Sequence, residues 1–158
     1  MELNLKQHTV KSYDKDIKSI SDTIEDLLDL TLQSIDMVEE LMKNPTEQKD
    51  FMEKITNHDY KINSLDNLVE KKVTSMLALR QPMAIDLRFV VSAIKVAGSL
   101  ERIGDQAKSV IKKWFILKSK LTTKQKDHYL KCLILPELWS KTQSMLLLIM
   151  IPTKPKKF

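Results

Sequence analysis

The chain has one cysteine, Cys132, which excludes an intrachain disulfide, and only two glycines, Gly98 and Gly104. So few glycines leave no phosphate-cradling loop and little scope for tight turns. No long hydrophobic run is present: the longest, Met145 to Ile151, falls far short of the ~20 residues a membrane-spanning helix needs. The first residues also lack the basic, apolar, small-residue order of a secretory signal. Together these absences predict a cytoplasmic protein without a transmembrane segment. His8, His58 and His128 have no nucleophile partner at a recognisable spacing, and Cys132 lies in an apolar stretch. No catalytic residue is assigned, and the chain is expected to act by binding rather than as an enzyme.

What is present reads as helix. At 158 residues one domain with a real core is the prior. Prolines punctuate long runs of Leu, Lys, Glu, Asp, Ile and Met. From Ile17 through Ile20, Ile24, Leu27, Leu28, Ile35, Val38, Leu41 and Met42 the apolar positions advance by threes and fours, which predicts a helix ending near Asn44-Pro45. Asn44 and Glu47 fit a capping box at the start of the next helix. Phe51, Ile55, Ile62, Leu65, Val69, Val73 and Met76 carry that second helix to Arg80-Gln81-Pro82. A third runs from about Ala84 to Lys118 and is apolar on most of its circumference, as a centrally packed helix would be. Short connections make these helices antiparallel neighbours. Thr122 and Gln125 suggest another capping box, and a fourth helix from Thr123 to about Leu135.

The formal net charge of +5 is unevenly placed. Residues 1–118 carry 18 basic against 19 acidic side chains, whereas 119–158 carry 8 against 2. The basicity belongs to the tail, so no nucleic-acid partner is expected.

Asp59, Asn63, Asp66 and Glu70 fall within about a 60° arc of the second helix, forming an acidic stripe at the border of its apolar face. Glu101 and Asp105, four residues apart on the third helix, continue the line of Leu87, Val90, Ile94 and Ala97. Carboxylates in line with a core stripe need a partner, because a buried unpaired charge costs several kcal/mol. The candidates are Arg102, Arg88, a lysine, or a metal ion such as iron, zinc, manganese or magnesium. His58 falls on the apolar side and reads better as a boundary histidine than as a ligand. Gly98 and Gly104 each weaken the helix, which suggests a close approach to the backbone there.

Read in order, four stretches carry a family resemblance. They are His8-Thr-Val-Lys-Ser-Tyr-Asp14, the Asp59, Asn63, Asp66 and Glu70 stripe, Leu79-Arg-Gln-Pro-Met-Ala-Ile-Asp-Leu-Arg88, and Leu100-Glu-Arg-Ile-Gly-Asp105. Over about residues 8–118 the chain resembles the PhoU family of bacterial phosphate-uptake regulators. The resemblance implies a negative regulator of the phosphate regulon made of two similar three-helix bundles, and the chain is separately expected to form a homodimer or other homo-oligomer. It would contact the phosphate transporter's ATP-binding subunit and a sensor histidine kinase. It also implies metal binding, with Glu101 and Asp105 matching the family's metal motif and Asp59, Asp66 and Glu70 the acidic positions beside it.

The expected architecture is therefore all-α, an antiparallel three-helix bundle over 1–120 and an incomplete second bundle over 121–158. That second part would consist of a first helix and a basic tail, and the tail has the composition of a premature stop or a frameshift. Leu133, Leu135, Leu138, Leu146 and Ile149 on an unmatched fourth helix would favour self-association.

Overall fold

A computed structural model describes residues 2–43, 49–117, 120 and 122. Three helices follow in order, α1 (Glu2–Lys43), α2 (Lys49–Arg80) and α3 (Ala84–Leu117), and each packs against the other two. The expected all-α bundle is what forms. The first capping box, the fourth helix and the 121–158 segment lie outside the described residues, apart from Thr122.

The helix α1 begins well before the expected Ile17. The same three-and-four spacing runs back through Tyr13 and Val10, and the polar residues between them are ordinary helix formers. At the other turn α2 stops at Arg80 as expected from Pro82, and Gln81 adopts the left-handed conformation at φ 45°. The Asp86 amide donates to the Met83 carbonyl at 3.2 Å, closing the first turn of α3.

The core has two apolar clusters. One joins Ile20, Ile24 and Leu27 of α1 to Ile62, Val69, Val73 and Met76 of α2 and to Val90, Ala93, Ala97, Leu100 and Ile103 of α3. The other joins Val38 and Leu41 to Phe51 and Ile55 and to Ala107, Val110, Ile111 and Trp114. Each large aliphatic side chain taken out of water contributes about 1.5–3 kcal/mol. Nearly every position expected from the spacing on α1 and α2 is buried or half-buried.

Three buried positions on α1, Thr23, Thr31 and Ser34, are polar. Their hydroxyls donate to the Ser19, Leu27 and Leu30 carbonyls one turn back, which removes the cost of burying them.

The structure corrects the expectation for α3. It is not centrally packed: Leu87, Val91 and Ile94 are about 40% exposed. In a three-helix bundle every helix keeps an outer face, and α3 keeps an apolar one.

Candidate functional site

The acidic positions come together along the seam between α2 and α3. Asp59 is buried, Asp66 half-buried and Glu70 exposed on α2, while Glu101 is half-buried and Asp105 exposed on α3. The expectation that Glu101 and Asp105 lie on an otherwise core-facing surface therefore needs adjusting. Val90 and Ala97 of that line are buried, but Leu87 and Ile94 are partly open, so the carboxylates border solvent.

Gly104 explains how the helices approach so closely here. A Cβ at that position would lie 2.8 Å from Cδ1 of Ile62, which is buried on α2 between the two groups of acids. The close approach expected at the two glycines exists at Gly104 and not at Gly98, where a Cβ would meet nothing within 4 Å.

The charges are crowded. Burial raises the Glu101 carboxyl above its ordinary range, and the neighbouring Asp105 and Asp66 raise it further, against a smaller lowering by Arg102. Burial also raises Asp105, helped by Asp59, and Lys108 lowers it. Asp66 is raised by burial and then by Glu70. A protonated Glu101 donates to Asp105, and a protonated Asp105 donates to Asp59. The acids thus form a linked row, Asp59, Asp105, Glu101, Asp66 and Glu70, in which Asp105, Glu101 and Asp66 hold protons more tightly than separate surface carboxylates would.

One cation enters the row. Lys108 Nζ donates to Asp59 Oδ2 at 2.5 Å, and the Asp59 side chain is only 10% exposed. Sequence reasoning anticipated a lysine among the partners of Glu101 and Asp105; the ion pair is made by Lys108 with Asp59. The available signal was its place on α3, three residues after Asp105 and seven after Glu101, on the same face. His58 is half-buried, and its Nδ1 is buried without a hydrogen-bond partner among the described residues, as suits a boundary histidine.

An all-carboxylate donor set with surplus negative charge fits a hard cation held between two helices. As the side chains are placed, no three acidic, histidine or cysteine groups among the described residues converge on one ion position. The row offers carboxylates in neighbouring pairs.

The turn motif has a structural role of its own. Arg80 Nε donates to Asp16 Oδ2 of α1 at 3.1 Å. Asp86, just past the turn, lies beside the Tyr13 hydroxyl, whose acidity is suppressed first by burial and then by that carboxylate. The α2 end of the turn is thereby fastened to α1 through Arg80, while the Tyr13 hydroxyl faces Asp86 at the other end without a hydrogen bond among the described residues. No helix among the described residues is long and apolar enough to cross a membrane.

Comparison with known proteins gives the context. The PhoU domain model matches residues 17–113. A phosphate-specific transport system accessory protein PhoU homolog of Caulobacter vibrioides is 31% identical over 112 residues, covering 70% of this chain and 47% of the relative. The corresponding homolog of Zymomonas mobilis is 32% identical over 112 residues, covering 71% and 46%. The phosphate-specific transport system accessory protein PhoU of Edwardsiella tarda is 30% identical over 108 residues, covering 68% and 44%. No solved structure matches. The chain spans about half the length of these curated relatives. A domain match across most of the bundle, with the Arg-Gln-Pro turn and the paired acids of α3 in place, means that this chain belongs to the PhoU family.

Proposed function

We propose that this chain is an accessory protein of phosphate transport, acting as a negative regulator of phosphate uptake and of the phosphate regulon. It works through protein contacts with the transporter's ATP-binding subunit and a sensor histidine kinase in the cytoplasm, and not by turnover of a substrate. The observation that carries the proposal is the family match over 17–113, which includes the linked carboxylate row of α2 and α3. By name, the relatives are accessory proteins of phosphate-specific transport systems.

Metal binding belongs to the same proposal. Glu101 and Asp105, with Asp59, Asp66 and Glu70, would hold the cation, whether iron, zinc, manganese or magnesium. A bound cation supplies positive charge to a row that has too little of its own. The residues themselves keep the site's negative charge at the α2–α3 seam, and Lys108 holds Asp59 in place.

The test is a binding titration of the purified chain against the transporter's ATP-binding subunit, with elemental analysis of the same preparation. Stoichiometric metal and saturable binding in the parent, both lost in the Glu101→Ala, Asp105→Ala double variant, are expected. A parent that binds neither metal nor the subunit would sink the proposal.

A second reading is an interaction module whose carboxylates are merely solvated. It is favoured by the lack of a three-ligand cluster among the described residues and by the open apolar side chains Leu87, Val91 and Ile94 on α3. Self-association follows from either reading, and a monodisperse monomer in sedimentation at all concentrations would count against it.

A further inference from the structure

On the α1–α2 side of the bundle, away from the acidic seam, lies an open cleft of about 310 Å³. Its lining includes Lys71, Lys72, Ser75 and Arg80 of α2 with Asp16 and Ser19 of α1. We propose that this cleft binds a phosphoryl dianion, carried either by inorganic phosphate or by a small phosphomonoester.

Charge is the first argument. Three cationic side chains meet one carboxylate, and that carboxylate is engaged by Arg80. Lys72 is held in place by neutral oxygens: its Nζ donates to the Ser19 carbonyl at 3.0 Å and to Thr23 Oγ1 at 2.6 Å. These bonds fix the ammonium without cancelling its charge, although α1 is rich in acids that could have done so. Lys71 makes no ion pair among the described residues. The positive charge is thus both concentrated and pre-positioned, which is what an anion site requires.

Hydroxyl groups are the second argument. Thr23, Thr31, Ser34, Thr56, Ser64 and Ser99 all turn their hydroxyls back onto the carbonyl four residues earlier. The hydroxyls of Ser19 and Ser75 donate to no such carbonyl among the described residues; Ser21, Thr74, Ser92 and Ser109 share that trait, but of these only Ser19 and Ser75 line the cleft. Two lysines and two hydroxyls, beside the Arg80–Asp16 pair, match the several acceptor oxygens of a tetrahedral dianion better than the two of a carboxylate. The cleft volume lies at the lower end of the ~300–1,000 Å³ range of small-molecule sites, so an ester with a compact body also fits.

The proposal stands apart from the carboxylate row and survives if that row binds no metal. The test is isothermal titration calorimetry of the full chain at constant ionic strength with inorganic phosphate, glycerol 3-phosphate and acetate. Saturable binding of one phosphate or phosphomonoester per chain is expected, with acetate weaker by at least about tenfold. Binding of the ester alone would identify the ester as the source; comparable binding of both would identify the shared dianion. The Lys71→Gln, Ser75→Ala variant leaves the Lys72 bridge to α1 intact, so it should fold normally and weaken binding by about tenfold or more. The Lys112→Gln, Lys113→Gln variant, altered on exposed positions of α3, should bind as the parent does. Absence of saturation for both phosphates, equal binding of acetate, or full binding by the Lys71→Gln, Ser75→Ala variant would each overturn the proposal.

Discussion

The two glycines of α3 should respond in opposite ways to alanine. Alanine gains about 0.8–1.0 kcal/mol of helix propensity over glycine at an interior position. At Gly98 nothing stands within 4 Å of the new Cβ, so the Gly98→Ala variant should be stabilised by nearly that whole amount. At Gly104 the Cβ would lie 2.8, 3.4 and 3.8 Å from Cδ1, Cγ2 and Cγ1 of Ile62. The nearest atom is a side-chain end, but Ile62 is only 1% exposed, so its rotation is confined by the surrounding core. Overpacking of this kind costs about 1–3 kcal/mol. Set against the propensity gain, Gly104→Ala should be between neutral and about 2 kcal/mol destabilising.

The contact itself can be isolated. Ile62→Val removes Cδ1 and alone should cost about 0.5–1.5 kcal/mol. In the Gly104→Ala background it relieves the clash, so the double variant should be more stable than the sum of the single changes by about 1 kcal/mol. Urea titrations of the four proteins, analysed by midpoint with the m-value checked for constancy, complete the cycle. A Gly104→Ala variant as stable as Gly98→Ala, or strict additivity with Ile62→Val, would refute the reasoning.

Three further outcomes can be measured in the same way. Lys108→Met should destabilise the bundle by about 1–2 kcal/mol, because it strands the nearly buried Asp59, with the loss reduced by the lysine's partial exposure. Asp59→Asn should cost less, since the amide no longer repels Asp105; the reverse order in urea midpoints would contradict the pairing. Glu101, Asp105 and Asp66 are raised in the folded chain, so the folded state binds their protons more tightly than the unfolded state does. That stability is fully present below the unfolded carboxylate pKa of about 4 and is lost as pH rises through the raised folded values. Acidification from about pH 7 to about pH 5 should therefore stabilise the parent more than the Glu101→Gln, Asp105→Asn variant, and parallel pH curves would exclude this account. Gln81→Gly should gain about 0.5–1 kcal/mol in thermal or urea unfolding by relieving the left-handed backbone, and a loss would show the turn to be unstrained.

Much of the bundle was legible from spacing alone. Ile20, Ile24, Leu27, Ile55, Ile62, Val69 and Val73 are apolar at helical intervals and end in the core. The beginning of α1 was less visible because its first turns mix polar residues with few apolar ones. Thr31 and Ser34 escaped notice as core residues, since a hydroxyl's burial depends on its own backbone bond and not on hydropathy. At the acidic seam, the facing carboxylates followed from periodicity within each helix. The choice of Lys108 as the partner of Asp59 did not, because it depends on how far α3 is displaced along α2. The different surroundings of the two glycines were hidden for the same reason.

That axial displacement raises a question of alignment. Asp59 and Ile62 are followed seven residues later by Asp66 and Val69, an acid and an aliphatic at the same separation. A slide of α2 by one heptad, about 10 Å, would bring the second pair to Lys108 and Gly104 in place of the first. At these two positions the seam would accept either alignment, but the same slide would set Arg80 where Val73 is buried and His58 where Phe51 is, so core and turn together fix the register. Three residues, 81–83, reverse the chain with no slack, while Arg80 is tied to Asp16 on α1. The short Arg-Gln-Pro turn thus acts as a length standard for the bundle. Its insertion variants would be the place to look for a second, slipped conformation of the same sequence.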